Sequence, residues 1–393
     1  MSKPRLTGGL IVILGSLTAF GPMSIDMYLP SLPTLERAFA APAASVQLTL
    51  SAFLAGIAIG QAFYGPLSDR FGRKPPLYAG LVLYVAASIA CAHAPSVDAM
   101  IALRFLQATG GCAGIVIARA IVRDLVDGAD AARAFSTLIL VMGVAPILAP
   151  LFGGYVLAWL GWQAIFWVLA LFGLACLIAV ATRVPETRPP EQRTTGGVVS
   201  ALLVYARLVS DRRFLGYSLT SGLALAGMFV YITTSPHLFI DVFGVSTQAY
   251  GWLFGSNAAG FIAVSQLNRL LLRKFDMHRV LAWGVRLNLA AALVLLLVAL
   301  SGFDGLAAIL VPLFVAIASL GVVMPNAVAA ALAGHAVHAG SASALIGTTQ
   351  FVLGAAAGAT AAALHSESAL AMAGAIAGSS AAAFAAHSLL TRR

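Results

Sequence analysis

Asp26 and Arg104 are an acid and a base set in apolar sequence, in Pro22-Met-Ser-Ile-Asp-Met-Tyr-Leu-Pro-Ser-Leu-Pro33 and Arg104-Phe-Leu-Gln-Ala-Thr-Gly-Gly111. A carboxylate removed from water favours its protonated form, and a nearby guanidinium pulls the other way. Such a pair suits taking up and releasing a proton. Competition between that proton and a second ligand gives exchange by linkage. The residue types are costly to place in a bilayer, at about +2.5–3.5 kcal/mol for a central Arg or Asp on insertion scales. The competing readings are structural: Asp26 capping a shortened helix, and Arg104 snorkelling to the headgroups.

The elements that must hold these two are apolar helices. Of 393 residues, 60% are apolar and 9% charged, with mean hydropathy +0.95. A soluble domain carries about 25% charged residues, so the solvent of this chain is largely lipid. A bilayer core takes about 20 apolar residues per helix. Apolar runs at 8–31, 46–66, 76–93, 97–117, 134–157, 162–182, 214–236, 247–268, 279–300, 306–325, 340–362 and 369–389 predict a twelve-span all-α membrane protein. At 1.5 Å per residue, and with the first helix running to about Leu32, Asp26 lies ~9 Å below its end and Arg104 ~10 Å below the start of the fourth. Both ends meet the same side, so acid and base share one layer. Asp26 is the single acidic residue in the interior of the spans, Asp98 standing at the outer edge of the fourth.

The net charge of +9 is a topology signal. Threading twelve spans puts the basic residues on one side, Arg70, Arg73, Lys74, Arg119, Arg123, Arg183, Arg273 and Lys274 among them. Arg37 alone lies on the other side, with Glu36, Asp98, Asp241, Asp304 and Glu367. The positive-inside rule then makes both termini cytoplasmic. No nucleic-acid partner is expected. Lys3, Arg5 and the following apolar run are read as an uncleaved first helix, because the run is too long for a signal peptide. Cys91, Cys112 and Cys176 lie in apolar helices and are expected to be packed thiols.

Arg183-Val-Pro-Glu-Thr-Arg-Pro-Pro-Glu-Gln-Arg-Thr-Thr-Gly-Gly197 is the longest polar stretch and falls at the midpoint. It divides the chain into an N-terminal six-helix bundle (1–182), a cytoplasmic linker (183–213) and a C-terminal six-helix bundle (214–393). Five identities at an offset of 200, Ala58/Ala258, Gly60/Gly260, Leu67/Leu267, Arg73/Arg273 and Lys74/Lys274, mark a faint repeat between the halves. Six-helix halves related along the membrane normal are a known transporter layout.

Three further motifs carry mechanism. Gly65-Pro-Leu-Ser-Asp-Arg-Phe-Gly-Arg-Lys-Pro75 sets a helix end, a turn and four ionisable residues between two spans. Gly65 permits close helix contact, Gly72 frees the turn, and Asp69, Arg70 and Arg73 are placed for charge-assisted bonds. This loop resembles the signature between helices two and three of the major facilitator superfamily. The resemblance implies a cytoplasmic gate latch through Asp69 and Arg73. Arg104-x-x-Gln107-x-x-Gly110 is similar to the helix-four motif of that superfamily's proton-coupled exporters. Gly143-Val-Ala-Pro-Ile-Leu-Ala-Pro-Leu-Phe-Gly-Gly154 resembles the antiporter motif of helix five, through Gly143, Pro146, Pro150, Gly153 and Gly154, with Ala149 where that motif has Gly. A packing helix remains the alternative there. With Ile25-Asp-Met-Tyr-Leu-Pro-x-Leu-Pro33 and Ser341-Ala-Ser-Ala-Leu-x-Gly-Thr-Thr-Gln350, the chain resembles the Bcr/CflA group of drug/proton antiporters over nearly its whole length.

The resemblance implies the major facilitator fold, a bacterial inner-membrane location and proton-coupled export of small, mostly apolar drug-like molecules by alternating access. Export of a metabolite such as an amino acid or sugar is the alternative, and the scarcity of intramembrane charge leans toward weakly polar cargo. Asp26, Gln107, Met142, Tyr231, Asn257 and Gln350 are the candidate substrate contacts, each also placed to pack helices together. Arg286 is either buried or snorkelling. His335 and His338 fall in a predicted loop, and no nucleophile elbow, phosphate loop or zinc spacing is found. No enzyme activity, cofactor or metal site is expected, and the chain is expected to act as a monomer.

Overall fold

A computed structural model describes residues 7–126, 128–193, 197–302, 305–335, 339–364 and 369–391. Among these, all regular structure is helical, as a bilayer demands of a chain that must satisfy its backbone hydrogen bonds within each segment. The helices are α1 (Gly8–Thr18), α2 (Phe20–Asp26), α3 (Leu32–Phe39), α4 (Ala43–Phe71), α5 (Lys74–Ala92), α6 (Val97–Leu125), α7 (Gly128–Leu160) and α8 (Trp162–Arg183). They continue with α9 (Gly197–Ser210), α10 (Arg212–Pro236), α11 (Thr247–Leu271), α12 (Met277–Leu300), α13 (Leu306–Leu332), α14 (Ala339–Ala363) and α15 (Leu370–Leu390). Each of the twelve apolar runs falls on helix.

Among the described residues, nine helices are long and apolar enough to cross a membrane, and the bent first segment makes a tenth. Helix α11 falls short of that hydropathy because it carries Gln248, Asn257, Gln266 and Asn268. The bend is 43° between α1 and the segment Phe20–Phe39. Pro22 explains it, since a proline ring clashes with the carbonyl four residues back, here Thr18. Helix starts carry the side chains that sequence rules ask for. Ser96 accepts from Ala99 N, Asp211 from Arg213 and Phe214 N, and Asp276 from His278 N, each satisfying an orphan donor of a first turn.

The chain forms two compact units, one comprising residues up to Ser31 with Ala52–Leu203, the other Leu32–Ser51 with Val204 onward. In the first, α6 packs on α5, α1 and α2, and α5 on α8. In the second, α10 packs on α13, α14 and α15, α13 on α11 and α12, and α12 on α15. The polar stretch after α8 has no regular structure from Val184 to Pro189 and one 3-10 turn at Pro190–Gln192, and α9 is a helix within the 183–213 segment. Arg286 is exposed on α12, which does not fit the buried alternative. The side chain of Met142, the surroundings of Gly143 and residue His338 lie outside what the structure describes. The three cysteines are free and buried.

Candidate functional site

The Arg104 side chain is wholly buried on α6. Its guanidinium donates to Gln107 Oε1, one turn along the same helix, and to the Ser24 carbonyl on α2 at 2.9 Å. It lies over the rings of Phe53 (4.2 Å), Tyr28 (4.5 Å) and Phe166 (5.9 Å). Aromatic faces attract a cation by about 0.5–2 kcal/mol each, more when water is excluded. Gln107 is held in turn, donating to Ser88 Oγ at 2.8 Å, while Ser24 Oγ and Tyr84 OH share a hydrogen bond of 2.7 Å. Arg104 is thereby fixed at the junction of α2, α5 and α6. Snorkelling is excluded for this residue.

Asp26 is the last residue of α2, two positions after the Ser24 carbonyl that anchors Arg104. It is 4% exposed and makes no ion pair or hydrogen bond among the described residues. The shared layer read from the sequence is a statement about depth, and the structure does not join the two charges. Arg104 turns instead toward a backbone carbonyl, an amide and three rings. Helix α2 also packs on α7. There Gly153 meets the backbone of Met27, so closely that a Cβ would overlap the Met27 carbonyl. Gly153, Gly154 and Pro150 are buried and Pro146 half-buried. The small residues of the helix-five motif thus bring α7 against the chain immediately after Asp26.

The loop between α4 and α5 is a second polar centre. Gly72 has φ +91°, a left-handed conformation that favours glycine, and turns the chain so that the Arg73 side chain folds inward at 3% exposure. Arg73 Nε and Nη2 donate to Asp124 Oδ2 and Oδ1 at 2.8 and 3.1 Å, a bidentate pair. Arg73 Nη1 donates to Asp69 Oδ1 at 2.7 Å and to Ser68 Oγ at 2.8 Å. Burial by itself lowers the Arg73 pKa, and the bonds and charges of Asp124 and Asp69 outweigh it, leaving the guanidinium above its ordinary value. Glu186, from the polar stretch after α8, accepts from the backbone N–H of Arg73 and Lys74 at 2.9 and 3.0 Å. Its carboxylate caps the N-terminus of α5. Thr187 donates to Asp124 Oδ2 at 2.7 Å, and Arg188 Nη1 stands 3.5 Å from Asp69. Arg70 points out to solvent and Gly65 has open space around it.

Asp124, Glu186 and Thr187 are members of this centre that sequence reasoning missed. The acid on α6 had no motif around it, and the polar stretch read as linker. Their roles separate by exposure. Asp124→Ala removes the bidentate partner of the buried Arg73 cation, leaving it the more exposed Asp69, and is expected to lower stability by about 3 kcal/mol, the low end for breaking a buried pair. Asp69, whose side chain is 42% exposed, is expected to cost under ~1 kcal/mol when changed to Ala. Denaturant or thermal unfolding in detergent checks both, and equal losses would contradict the assignment.

The remaining candidates divide between the units. Gln107 belongs to the Arg104 cluster. In the second unit Asn257 Nδ2 donates to Tyr231 OH at 3.1 Å, and the Tyr231 ring stacks on Phe254 at 5.5 Å and 14°. Asn257 Oδ1 is buried without a hydrogen-bond partner among the described residues. Gln350 is not part of that group. Its Nε2 donates to Ser221 Oγ at 3.3 Å, ten residues and ~15 Å along α10 from Tyr231.

With the geometry in place, comparison with known proteins is direct. Residues 14–359 match the Major Facilitator Superfamily. The MFS-type transporter YdgK of Bacillus subtilis is 35% identical over 357 residues, covering 90% of this chain and 87% of that one. A bicyclomycin resistance protein homolog of Haemophilus influenzae is 31% identical over 100% of this chain and 98% of its own. Among solved structures, the xylose transporter XylE of E. coli, in a partially occluded inward-open conformation, matches with TM-score 0.75 and 15% identity over 97% of both chains. That likeness is one of fold. The sequence match along the chain and the all-helical architecture make this a multi-pass membrane protein that belongs to the Major Facilitator Superfamily, in its Bcr/CflA-type branch.

Proposed function

We propose that this protein is a proton-coupled exporter of small, weakly polar drug-like molecules. Asp26 is the group that takes the proton, and Arg104 is a fixed charge held by the Ser24 carbonyl of the same helix. The observation that carries the reading is the buried carboxylate of Asp26 at the end of α2, unpaired among the described residues and two residues from the carbonyl that holds Arg104. A carboxylate with no partner is free to exchange a proton or to meet a bound molecule. An acid locked in an ion pair is not. The small-residue contact of Gly153 with Met27 lets a movement of α7 reach the chain beside Asp26. Cargo of drug type is supported by the resistance protein that this chain matches along its whole length. It also suits spans that hold one acid away from their edges.

In this reading the bundles 1–182 and 214–393 alternate access, joined by the 183–213 segment. The Arg73–Asp124–Glu186 centre is the cytoplasmic latch, with Asp69 and Arg70 at its rim. Both termini are cytoplasmic, as the one-sided distribution of Arg and Lys supports. The Tyr231–Asn257 pair offers cargo an aromatic face and the acceptor Asn257 Oδ1, which is without a partner among the described residues. Small molecule and proton are the partners, and the monomer is the working unit.

The test is transport by purified protein in proteoliposomes under an imposed pH gradient, with bicyclomycin and chemically unrelated drugs as cargo. Gradient-driven uptake of at least one drug, with proton movement in the opposite direction, is expected. Gradient-driven movement of amino acids or sugars and of no drug would replace this reading with metabolite export.

A further inference from the structure

Helix α10 ends at Pro236, which has no N–H to donate, and the chain continues through one π-helical turn, His237–Val242. Such turns are rare and recur at functional sites. This one sets His237 Nδ1 3.1 Å from Asp241 Oδ2. Helix α3 packs against the same turn and brings Glu36 Oε2 to 3.7 Å from His237 Nδ1. All three donor atoms lie within 4.8 Å of one another, and the elements that carry them belong to the same compact unit.

We propose that Glu36, His237 and Asp241 bind a divalent transition-metal ion of the zinc type. Tetrahedral zinc with bonds near ~2.1 Å needs its ligands ~3.4 Å apart, and the two measured separations bracket that value. One imidazole nitrogen and two carboxylate oxygens suit zinc in type, and two negative charges match a dication. Glu36 adds an independent observation. Its Oε1 is buried and accepts no hydrogen bond among the described residues, a state that buried acceptors seldom tolerate and that a cation relieves. Side-chain exposures of 17% for Glu36, 28% for His237 and 31% for Asp241 leave a path in from water and a fourth position for a water molecule. Arg37, next to Glu36, is the further charge acting on this carboxylate, and it weakens the site without filling it. No sequence spacing announces the site, because Glu36 comes from a part of the chain far from the other two ligands. Bound metal ties α3 to the turn that follows α10. The site stands independently of the export reading.

Zinc titration of tag-free, detergent-solubilised protein against a chromophoric chelator tests it. One equivalent is expected to bind the wild type and to raise its unfolding temperature. His237→Ala and Glu36→Gln are each expected to weaken binding at least ~10-fold, the lower bound for losing even an outer-shell partner. His335→Ala, whose imidazole sits on Asp211 elsewhere in this unit, is expected to leave zinc affinity unchanged. Unfolding in the absence of zinc shows that each variant folds, and His237→Gln replaces any Ala variant that does not. Absence of one-equivalent binding, unchanged affinity in the Glu36 and His237 variants, or loss of binding in His335→Ala overturns the proposal. The first of these would mean that His237 bridges the two carboxylates without a metal.

Discussion

Asp26→Asn is expected to abolish proton-driven export while the folded protein still binds drug. The substitution keeps the shape of the side chain and removes its capacity to titrate. Its effect on stability is expected to be small and favourable in sign. Asp26 is 4% exposed and makes no ion pair or hydrogen bond among the described residues, so no partner is stranded when its charge is lost. Burying an unpaired carboxylate is costly, and a neutral amide relieves part of that cost. Loss of transport therefore cannot be blamed on misfolding. Equilibrium drug binding in detergent and drug-evoked proton release from proteoliposomes separate the two effects. Binding is retained and proton release disappears. Full uphill export by Asp26→Asn would remove Asp26 from the coupling mechanism and with it the central claim of the proposed function.

Charge was the most legible feature of this sequence because lipid makes it rare. In a chain with 9% charged residues, Asp26 and Arg104 were bound to stand out. The 1.5 Å rise of a helix also gave their depth. Helical rise says nothing of side-chain direction, and the Arg104 guanidinium turns to Ser24 and Gln107 rather than to Asp26. Partners distant in sequence were equally hidden. Glu186 lies 113 residues from the Arg73 N–H it accepts from, and no local pattern foretells such a meeting. Gly153 was readable as a small residue on a packing helix, yet its partner, the Met27 carbonyl, follows only from how α7 meets the first segment. Pro22 could have announced the break at Thr18, since the clash of proline with the carbonyl four residues back is a local rule.

The second large effect is expected at Arg104, where stability and transport should part company. Arg104→Met removes a buried cation that has no carboxylate partner among the described residues. The desolvation cost of such an ion, several kcal/mol, disappears with it. Against that gain, the change strips the Gln107 Oε1 and Ser24 carbonyl of their donor, at about 1–3 kcal/mol for each buried acceptor. It also forfeits the attraction of the cation to Phe53 and Tyr28. A thioether still packs well against aromatic rings. The opposing effects are of similar size, so the Met variant is expected to unfold within ~2 kcal/mol of wild type. Its drug transport is nonetheless expected to fall to background, because the fixed charge beside the α2 terminus has gone. Arg104→Lys keeps a positive charge, but a single ammonium cannot replace a planar fork that serves an amide and a carbonyl while lying over rings. Its transport is expected to be residual and well below wild type. A protein that bears an unpaired cation at full burial, when an apolar residue would fold about as well, is retaining it for what the charge does. Wild-type export by the Met variant would reduce Arg104 to a packing residue and leave Asp26 to act alone.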